Sequence, residues 1–169
     1  MQPIIYSANK RPFATSPIAV QAIIVNDQEQ ILLLSSPHRN RPDEWQTVSG
    51  ALEAEETILD AVLREVREEA GAAVRVRPLG VVHARTFHYD AHVRYAIGIY
   101  YLLAYEGGAV EPGDDMRDSQ ARWWSLAELA QADITLHISI NPPWLFTRAI
   151  ELYRLWRDQD PVLLQKLLD

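Results

Sequence analysis

Apolar residues along the chain follow two periods, one typical of strands and one typical of helices. The runs IAVQAIIV (Ile18–Val25) and ILLLSS (Ile31–Ser36) are rich in aliphatic residues and flank the polar segment NDQEQ, which predicts a β-hairpin. Further strands are predicted around Leu79–His88, Val93–Tyr105 and Arg122–Trp124. Residues 1–17 mix Pro, Ser, Thr and Lys without a regular period, and we expect them to form an N-terminal extension.

A helical period follows the hairpin. Apolar residues recur from Leu59 to Ala70, which predicts a helix that begins near Glu56 or Thr57 and ends at Gly71. Shorter helices are predicted for SLAELAQ with Ser125 as N-cap, for Trp144–Trp156 and for the closing PVLLQKLL. Strands that alternate with helices predict an α/β (α+β) fold, a mixed sheet covered by helices on both faces. We expect one domain over residues 18–169.

Composition narrows the possible partners and location. The net charge of −7 argues against a general surface for nucleic acid or anionic membrane. The chain has no cysteine, which excludes disulfides and cysteine-based zinc sites or nucleophiles. Its longest apolar run, Ala96–Tyr105, is far short of the roughly 20 residues that span a bilayer, and the N-terminus lacks a signal-peptide pattern. We expect a cytoplasmic protein whose partners are neither nucleic acid polymers nor membranes.

The segment REVREEAG (Arg64–Gly71) crowds acids near the end of the predicted helix. Glu65, Glu68 and Glu69 stand at i, i+3 and i+4 and therefore share one face. Like charges at this spacing destabilise a helix by a few tenths of a kcal/mol per pair, and the helix dipole disfavours acids at this end. A hard cation such as Mg²⁺ would reverse the balance. For these eight residues alone, the alternative is a solvated charged face in which Arg64 pairs with Glu68.

The acidic segment is the end of a longer spaced pattern. The pattern runs Gly-x5-Glu-x7-Arg-Glu-aliphatic-x-Glu-Glu-x-Gly, with Ala72 where a larger aliphatic residue is usual. Its fixed residues here are Gly50, Glu56, Arg64, Glu65, Glu68, Glu69 and Gly71. This spacing resembles the signature of the Nudix (MutT-like) hydrolase superfamily. The resemblance implies an α/β/α sandwich around a mixed sheet, with the motif as loop, helix and loop.

The resemblance also implies a chemistry. Nudix enzymes hydrolyse diphosphate linkages in nucleoside diphosphates joined to another group, using Mg²⁺ or Mn²⁺ and a water nucleophile. By this likeness Glu68 and Glu69 are the leading metal ligands, and Glu65 is a further ligand and a candidate general base. Arg64 and Glu56 are expected to orient the carboxylates through a salt bridge.

Residues around the helix have implied roles too. The carbonyl of Ser49 is expected to join the metal shell, and Gly50 to permit the turn that brings the loop close to the helix. The family often adds a metal-binding acid shortly before a late tryptophan, for which Asp118 and then Asp115 are the candidates. A polar surface loop is the alternative explanation of these aspartates.

The segment WQTVSG (Trp45–Gly50) bears on the substrate. It resembles the branch that includes dATP and dihydroneopterin triphosphate pyrophosphohydrolases, which implies a substrate contact for Trp45. The same branch has a basic pair comparable to Arg39 and Arg41, which could grip phosphate oxygens in bidentate fashion. Simple loop solubility is the alternative for this pair. We therefore expect a small nucleotide as substrate, a nucleoside triphosphate or a pterin equivalent that loses diphosphate.

Two other functions stay open at this stage. ADP-ribose or another nucleotide sugar is the enzymatic alternative, since enzymes of that kind often form homodimers through a swapped N-terminal extension, and residues 1–17 fit such a role. A nucleotide sensor that binds without cleavage is an alternative of another class. Sensors of this type usually lose motif glutamates, and none is missing here.

Overall fold

The computed structural model describes residues 4–38, 41, 43–113, 116–140 and 144–159. The strands are β1 Ile4–Tyr6, β2 Pro12–Ala14, β3 Ile18–Val25, β4 Ile31–Ser35, β5 Glu44–Trp45, β6 Val48–Ala51, β7 Arg75–Phe87, β8 Ala96–Gly107, β9 Gln120–Trp124 and β10 Thr135–Leu136. The helices are α1 Ile58–Glu65, which a π-helical turn Val66–Ala70 continues, α2 Leu126–Gln131 and α3 Trp144–Trp156. A 3₁₀ turn, Ile138–Ile140, precedes α3.

The central sheet has six strands and is mixed. Its order is β7-β8-β3-β4-β9, and β6 pairs with β3 beside β4. The pair β3 and β8 is parallel, whereas the remaining pairs of this sheet are antiparallel. Two short pairs, β1 with β2 and β5 with β10, lie outside it.

The two faces of β3 carry separate apolar layers. Val20, Ala22 and Ile24 pack in one cluster with residues of α1, and Ile23 and Val25 pack in another with residues of α3. Alternate side chains of a strand point to opposite faces, so one strand anchors both layers. The predicted sandwich, a mixed sheet between helices, is confirmed.

Most predicted elements are present, with shifted ends. The motif helix begins after Thr57, whose hydroxyl accepts a hydrogen bond from the N–H of Asp60 in a capping box. Ser125 caps α2 in the same way. The strand expected from Val93 begins at Ala96 instead, because the carboxylate of Asp90 holds the preceding residues in a turn. The helix expected for PVLLQKLL lies outside the described residues.

The N-terminal segment differs from the prediction. We expected no regular element before Ile18, but β1 and β2 form an antiparallel hairpin. Its turn is closed by the N–H of Lys10, which donates to the carbonyl of Ser7 at 2.8 Å, and Lys10 has a positive φ of 62°. Within the described ranges, none of the helices has the length and apolar character needed to cross a membrane.

Candidate active site

The three motif glutamates differ in exposure. Glu65 and Glu69 are 8% and 2% exposed, whereas the side chain of Glu68 is 42% exposed. The N–H of Ser49 donates to Oε2 of Glu69 at 2.7 Å, which ties strand β6 to the end of the motif helix. Buried carboxylates are costly without compensating partners. Two of the three acids are therefore held inside the protein, against β6.

The motif helix changes its winding within the acidic segment. From Val66 to Ala70 it is π-helical, and the N–H of Gly71 donates to the carbonyl of Val66, five residues earlier, at 3.2 Å. Short π-helical turns are frequent at functional sites. The sequence correctly predicted the end of the helix at Gly71, but its spacing gave no indication of the π turn.

Gly50 is required by a close approach of two elements. A Cβ added at Gly50 would lie 1.8 Å from Oε1 of Glu65, so no other residue fits without a shift. We predicted that Gly50 permits a turn, and this is wrong in its detail. Gly50 lies inside strand β6, paired with Val20, and its missing side chain makes room for the carboxylate.

Arg64 joins the acids of the motif. Its Nη1 donates to Oε1 of Glu65 at 2.6 Å and to Oε2 of Glu68 at 3.0 Å. Its Nε and Nη2 grip the Glu56 carboxylate at 3.2 and 2.9 Å, and Nη2 also donates to the carbonyl of Ala51. The hydrogen bond from Arg64 lowers the pKa of Glu56, and the same bond, with those to the other two acids, raises the pKa of Arg64. One guanidinium thus links three carboxylates and β6.

The donor set suits a hard divalent cation. Within the described ranges, no three His, Asp or Glu side chains form a ready-made group that could hold a metal ion, and Nη1 of Arg64 lies between Glu65 and Glu68. Glu65, Glu68 and Glu69 nevertheless lie within about one helical turn of each other along the chain, and Glu69 contacts the backbone of Ser49. Carboxylate and carbonyl oxygens are the ligands that Mg²⁺ prefers. The residues present therefore fit such an ion.

Two other predicted residues meet in a separate, polar pocket. Arg41 and Asp118 line a cavity of about 300 Å³, together with Ser35, Ser36, Pro37, Asp43 and Gln120. Asp118 has a positive φ of 64°. Its predicted metal contact and the phosphate contact of Arg41 stay predictions. Arg39 and Asp115 lie outside the described residues.

Trp45 is buried in the core. It is 7% exposed and packs edge to face against Trp124, with ring centroids 5.2 Å apart. Trp45 is absent from the lining of both described pockets. The structure therefore gives no support to its predicted contact with substrate.

A larger pocket opens at the backbone of Ser49 and Gly50. It has a volume of about 480 Å³, within the usual range of small-molecule sites. Its lining comprises Pro17, Ile18, Ala19, Gln21, Gln46, Ser49, Gly50, Ala51, Phe87, Tyr89, Val93, Ala96, His137 and Ser139. Ser49 and Gly50 belong to both the pocket and the glutamate site. Sequence reasoning missed Phe87, Tyr89, His137 and Ser139 because the first two lie at and after the end of β7 and the last two near a distant 3₁₀ turn, without a shared spacing.

The fold and the motif helix define the class to which the chain belongs. A mixed sheet lies between helices, and the motif from Gly50 to Gly71 places two buried glutamates, Glu65 and Glu69, against β6. The model of the NUDIX domain matches residues 15–144. The chain therefore belongs to the Nudix family.

Known relatives share the family but not one activity. The chain is 32% identical over 107 residues to an 8-oxo-dGDP phosphatase, NUDT18, of Danio rerio, covering 62% of this chain and 31% of the relative. It is 31% identical over 106 residues to an ADP-ribose pyrophosphatase of Methanocaldococcus jannaschii, covering 61% of this chain and 59% of the relative. The chain thus spans less than two thirds of either protein.

A solved structure agrees with the fold. The crystal structure of an ADP-ribose pyrophosphatase from Streptococcus suis superposes with a TM-score of 0.63 at 21% identity. The match covers 83% of this chain and 93% of that one. At this identity the likeness shows the fold alone.

The contact between Gly50 and Glu65 predicts a specific steric coupling. Gly50→Ala should destabilise the protein by about 1–3 kcal/mol, because the new methyl group overlaps the Glu65 carboxylate. In a Glu65→Ala background the same change should cost far less, since the overlapping atoms are gone. Urea unfolding of the four variants in this cycle measures the coupling. Equal costs in both backgrounds would show that the two residues do not meet.

The ion pair of Glu56 with Arg64 predicts a pH dependence. The pKa of Glu56 is lowered in the folded protein, so its contribution is complete above the ordinary value of 4.5 and is lost as pH falls through the lowered value. The free energy of unfolding of wild type minus that of Glu56→Gln should therefore be constant above pH 4.5 and shrink in more acidic solution. Urea titrations across this range test it. A difference that grows on acidification would contradict the sign.

Proposed function

We propose that the chain is a divalent-metal-dependent hydrolase that cleaves a diphosphate linkage in a nucleotide. One observation carries the proposal: two buried carboxylates, Glu65 and Glu69, converge on Ser49 and Gly50 at the edge of a pocket of about 480 Å³. A ligand that fills the pocket and continues over Ser49–Gly50 would bring its phosphates to the acids. Membership of the Nudix family supports the same reaction.

Glu65, Glu68, Glu69 and the carbonyl of Ser49 would hold Mg²⁺ or Mn²⁺. When bound, such an ion neutralises charge on the phosphate oxygens and makes water a better nucleophile. The protein supplies position: the capped helix α1 carries Glu65, the π-helical turn that continues it carries Glu68 and Glu69, and the N–H of Ser49 fixes Glu69. Asp118 remains a candidate for an additional ligand.

Glu65 is our candidate for the general base that activates water. Its carboxylate lies against the backbone of Gly50 and accepts a hydrogen bond from Arg64, and these two contacts orient it. Arg64 is itself fixed by Glu56 and by the carbonyl of Ala51. A general base must lie within hydrogen-bond reach of the proton that it removes. The contacts of Arg64 with Glu56, Ala51 and Glu65 hold the Glu65 carboxylate in one position. Arg64 and Glu56 therefore act by positioning.

For the substrate we propose a nucleoside triphosphate, of dATP or dihydroneopterin triphosphate type, that loses diphosphate. The segment WQTVSG supports it, as does Arg41, which lines a polar pocket with Asp118. ADP-ribose is the second candidate, favoured by the archaeal relative that is an ADP-ribose pyrophosphatase. A binding-only sensor is disfavoured because every motif glutamate is present. Cytoplasmic location and a homodimer stay predictions.

A substrate panel tests the class of nucleotide. With Mg²⁺ present, we expect a nucleoside or pterin triphosphate to be cleaved to the monophosphate and diphosphate. Chromatography with product identification separates this from release of AMP and ribose 5-phosphate from ADP-ribose. Preferred cleavage of ADP-ribose would overturn the triphosphate proposal and leave the metal-dependent hydrolase intact.

The change Glu69→Gln tests the metal-binding acids. It keeps an oxygen that can accept the hydrogen bond from Ser49 but removes the charge that would hold the cation. We expect turnover to fall at least about 100-fold, the upper end of what even outer partners of a metal ligand cost. Mg²⁺ should also raise the melting temperature of wild type, because a ligand that favours the folded state stabilises it. The variant should lose this rise.

Glu151→Gln is the matched control, since it makes the same change on the exposed side of α3. It should retain both turnover and the rise in melting temperature. Turnover of Glu69→Gln within about threefold of wild type, a barrier change below 1 kcal/mol, would refute the metal assignment.

A further inference from the structure

The pocket that opens at Ser49 and Gly50 has an aromatic wall. Phe87 and Tyr89 line it with ring centroids 6.4 Å apart, and both come from the end of β7 and the loop that follows. The ring of Phe87 packs against β8 at Gly98, where an added Cβ would be 3.3 Å from Cε1. Aromatic side chains of this kind can stack on the ring of any nucleobase. We call the cavity lined by these residues the ring pocket.

A histidine with a defined tautomer lies on the polar side of the ring pocket. Ser139 donates its backbone N–H to Nδ1 of His137 at 3.3 Å, and its Oγ lies 2.7 Å from the same nitrogen. A backbone N–H can only donate, so Nδ1 must be the acceptor and the neutral ring carries its hydrogen on Nε2. In this tautomer, the side-chain hydrogen that His137 can donate is the one on Nε2. Both residues line the pocket.

The turn that carries His137 and Ser139 is held by the guanidinium of Arg85. Nη2 of Arg85 donates to the carbonyls of Ile138 and Ser139 at 3.1 and 3.0 Å. The hydroxyl of Tyr100 also donates to the Ser139 carbonyl, and the guanidinium of Arg85 lies 5.7 Å from the centre of the Tyr100 ring. Arg85 thus connects strand β7, which supplies Phe87, with the turn that supplies the polar side of the pocket.

We propose that the ring pocket binds the heterocyclic base of the nucleotide, with His137 as the donor that determines base specificity and Arg85 as the residue that positions its turn. The inference rests on the proposed function, because it places the base at one end of the Ser49–Gly50 backbone and the phosphates at the other. Phe87 supplies stacking, which every base accepts. His137 supplies selection, because its Nε2–H favours a base with an acceptor at that edge.

Binding to base-bearing and base-free monophosphates tests the proposal without turnover. Calorimetry on the full chain compares AMP, GMP, CMP and UMP with ribose 5-phosphate. At least one nucleotide should bind about tenfold more tightly than the sugar phosphate, the low end of the contribution of one stacked base. If none exceeds ribose 5-phosphate, the ring pocket does not bind a base.

Three variants assign the roles. His137→Ala should weaken the preferred nucleotide about fivefold to tenfold, as expected for one lost hydrogen bond, and reduce its advantage over the other three nucleotides. Phe87→Ala should weaken all four nucleotides about tenfold or more through lost stacking. Arg85→Lys keeps the charge but cannot reproduce the fixed guanidinium geometry, so it should lower discrimination among the bases. Affinity for ribose 5-phosphate should not change in any of them.

His92→Ala is the matched control, since His92 is exposed on the β7–β8 loop and does not line the ring pocket. Its binding should equal that of wild type. Unchanged base discrimination in both His137→Ala and Arg85→Lys would overturn the assignment of specificity.

Glu69→Gln separates the two proposals. If this variant loses turnover but still binds the nucleotide, and if that binding depends on His137, both proposals are supported. Loss of turnover with binding insensitive to His137 and Phe87 keeps the hydrolase and rejects the ring pocket.

Discussion

The approach of strand β6 to the motif helix is the contact on which the candidate site depends. At Gly50 the backbone comes so close to Glu65 that a methyl group would overlap the carboxylate, and one residue earlier the N–H of Ser49 binds Glu69. Both acids are thereby buried next to a strand that is itself paired with β3 in the central sheet. The sheet fixes the strand, and the strand fixes the acids. A rigid scaffold of this kind holds charged groups in place better than a loop does.

Charge balance is the second constraint. Three glutamates within about one helical turn repel one another. Arg64 offsets that repulsion through contacts with Glu65 and Glu68, while Glu56 binds the other side of its guanidinium. A divalent cation and Arg64 would both neutralise the negative charge of the same carboxylates. In the proposed hydrolase, the acids are therefore accommodated by the arginine before metal binds. The Arg64 guanidinium also binds the Glu56 carboxylate, and this ion pair fixes Arg64 independently of the candidate metal ligands.

Sequence reasoning succeeded where residue spacing maps directly onto geometry. The helix from Thr57 to Gly71 and the close relation of Gly50 to the acids followed from one spaced motif. The π turn did not, because it depends on packing after the chain has folded rather than on any residue type. The ring pocket escaped as well, since Phe87 and His137 are 50 positions apart and meet only through sheet pairing and the turn held by Arg85. Spacing did not indicate that Trp45 packs in the core against Trp124, and its contact with substrate stays a prediction.

The alternation of β3 explains how one small site can serve two tasks. Val20 and Ala22 point toward α1 and support the layer that carries the glutamates, whereas Ala19 and Gln21 line the ring pocket on the other face. Strand β6, paired with this half of β3, is where the two faces meet, at Ser49 and Gly50. In the proposed arrangement, changes in the pocket alter the preferred base without moving the acids.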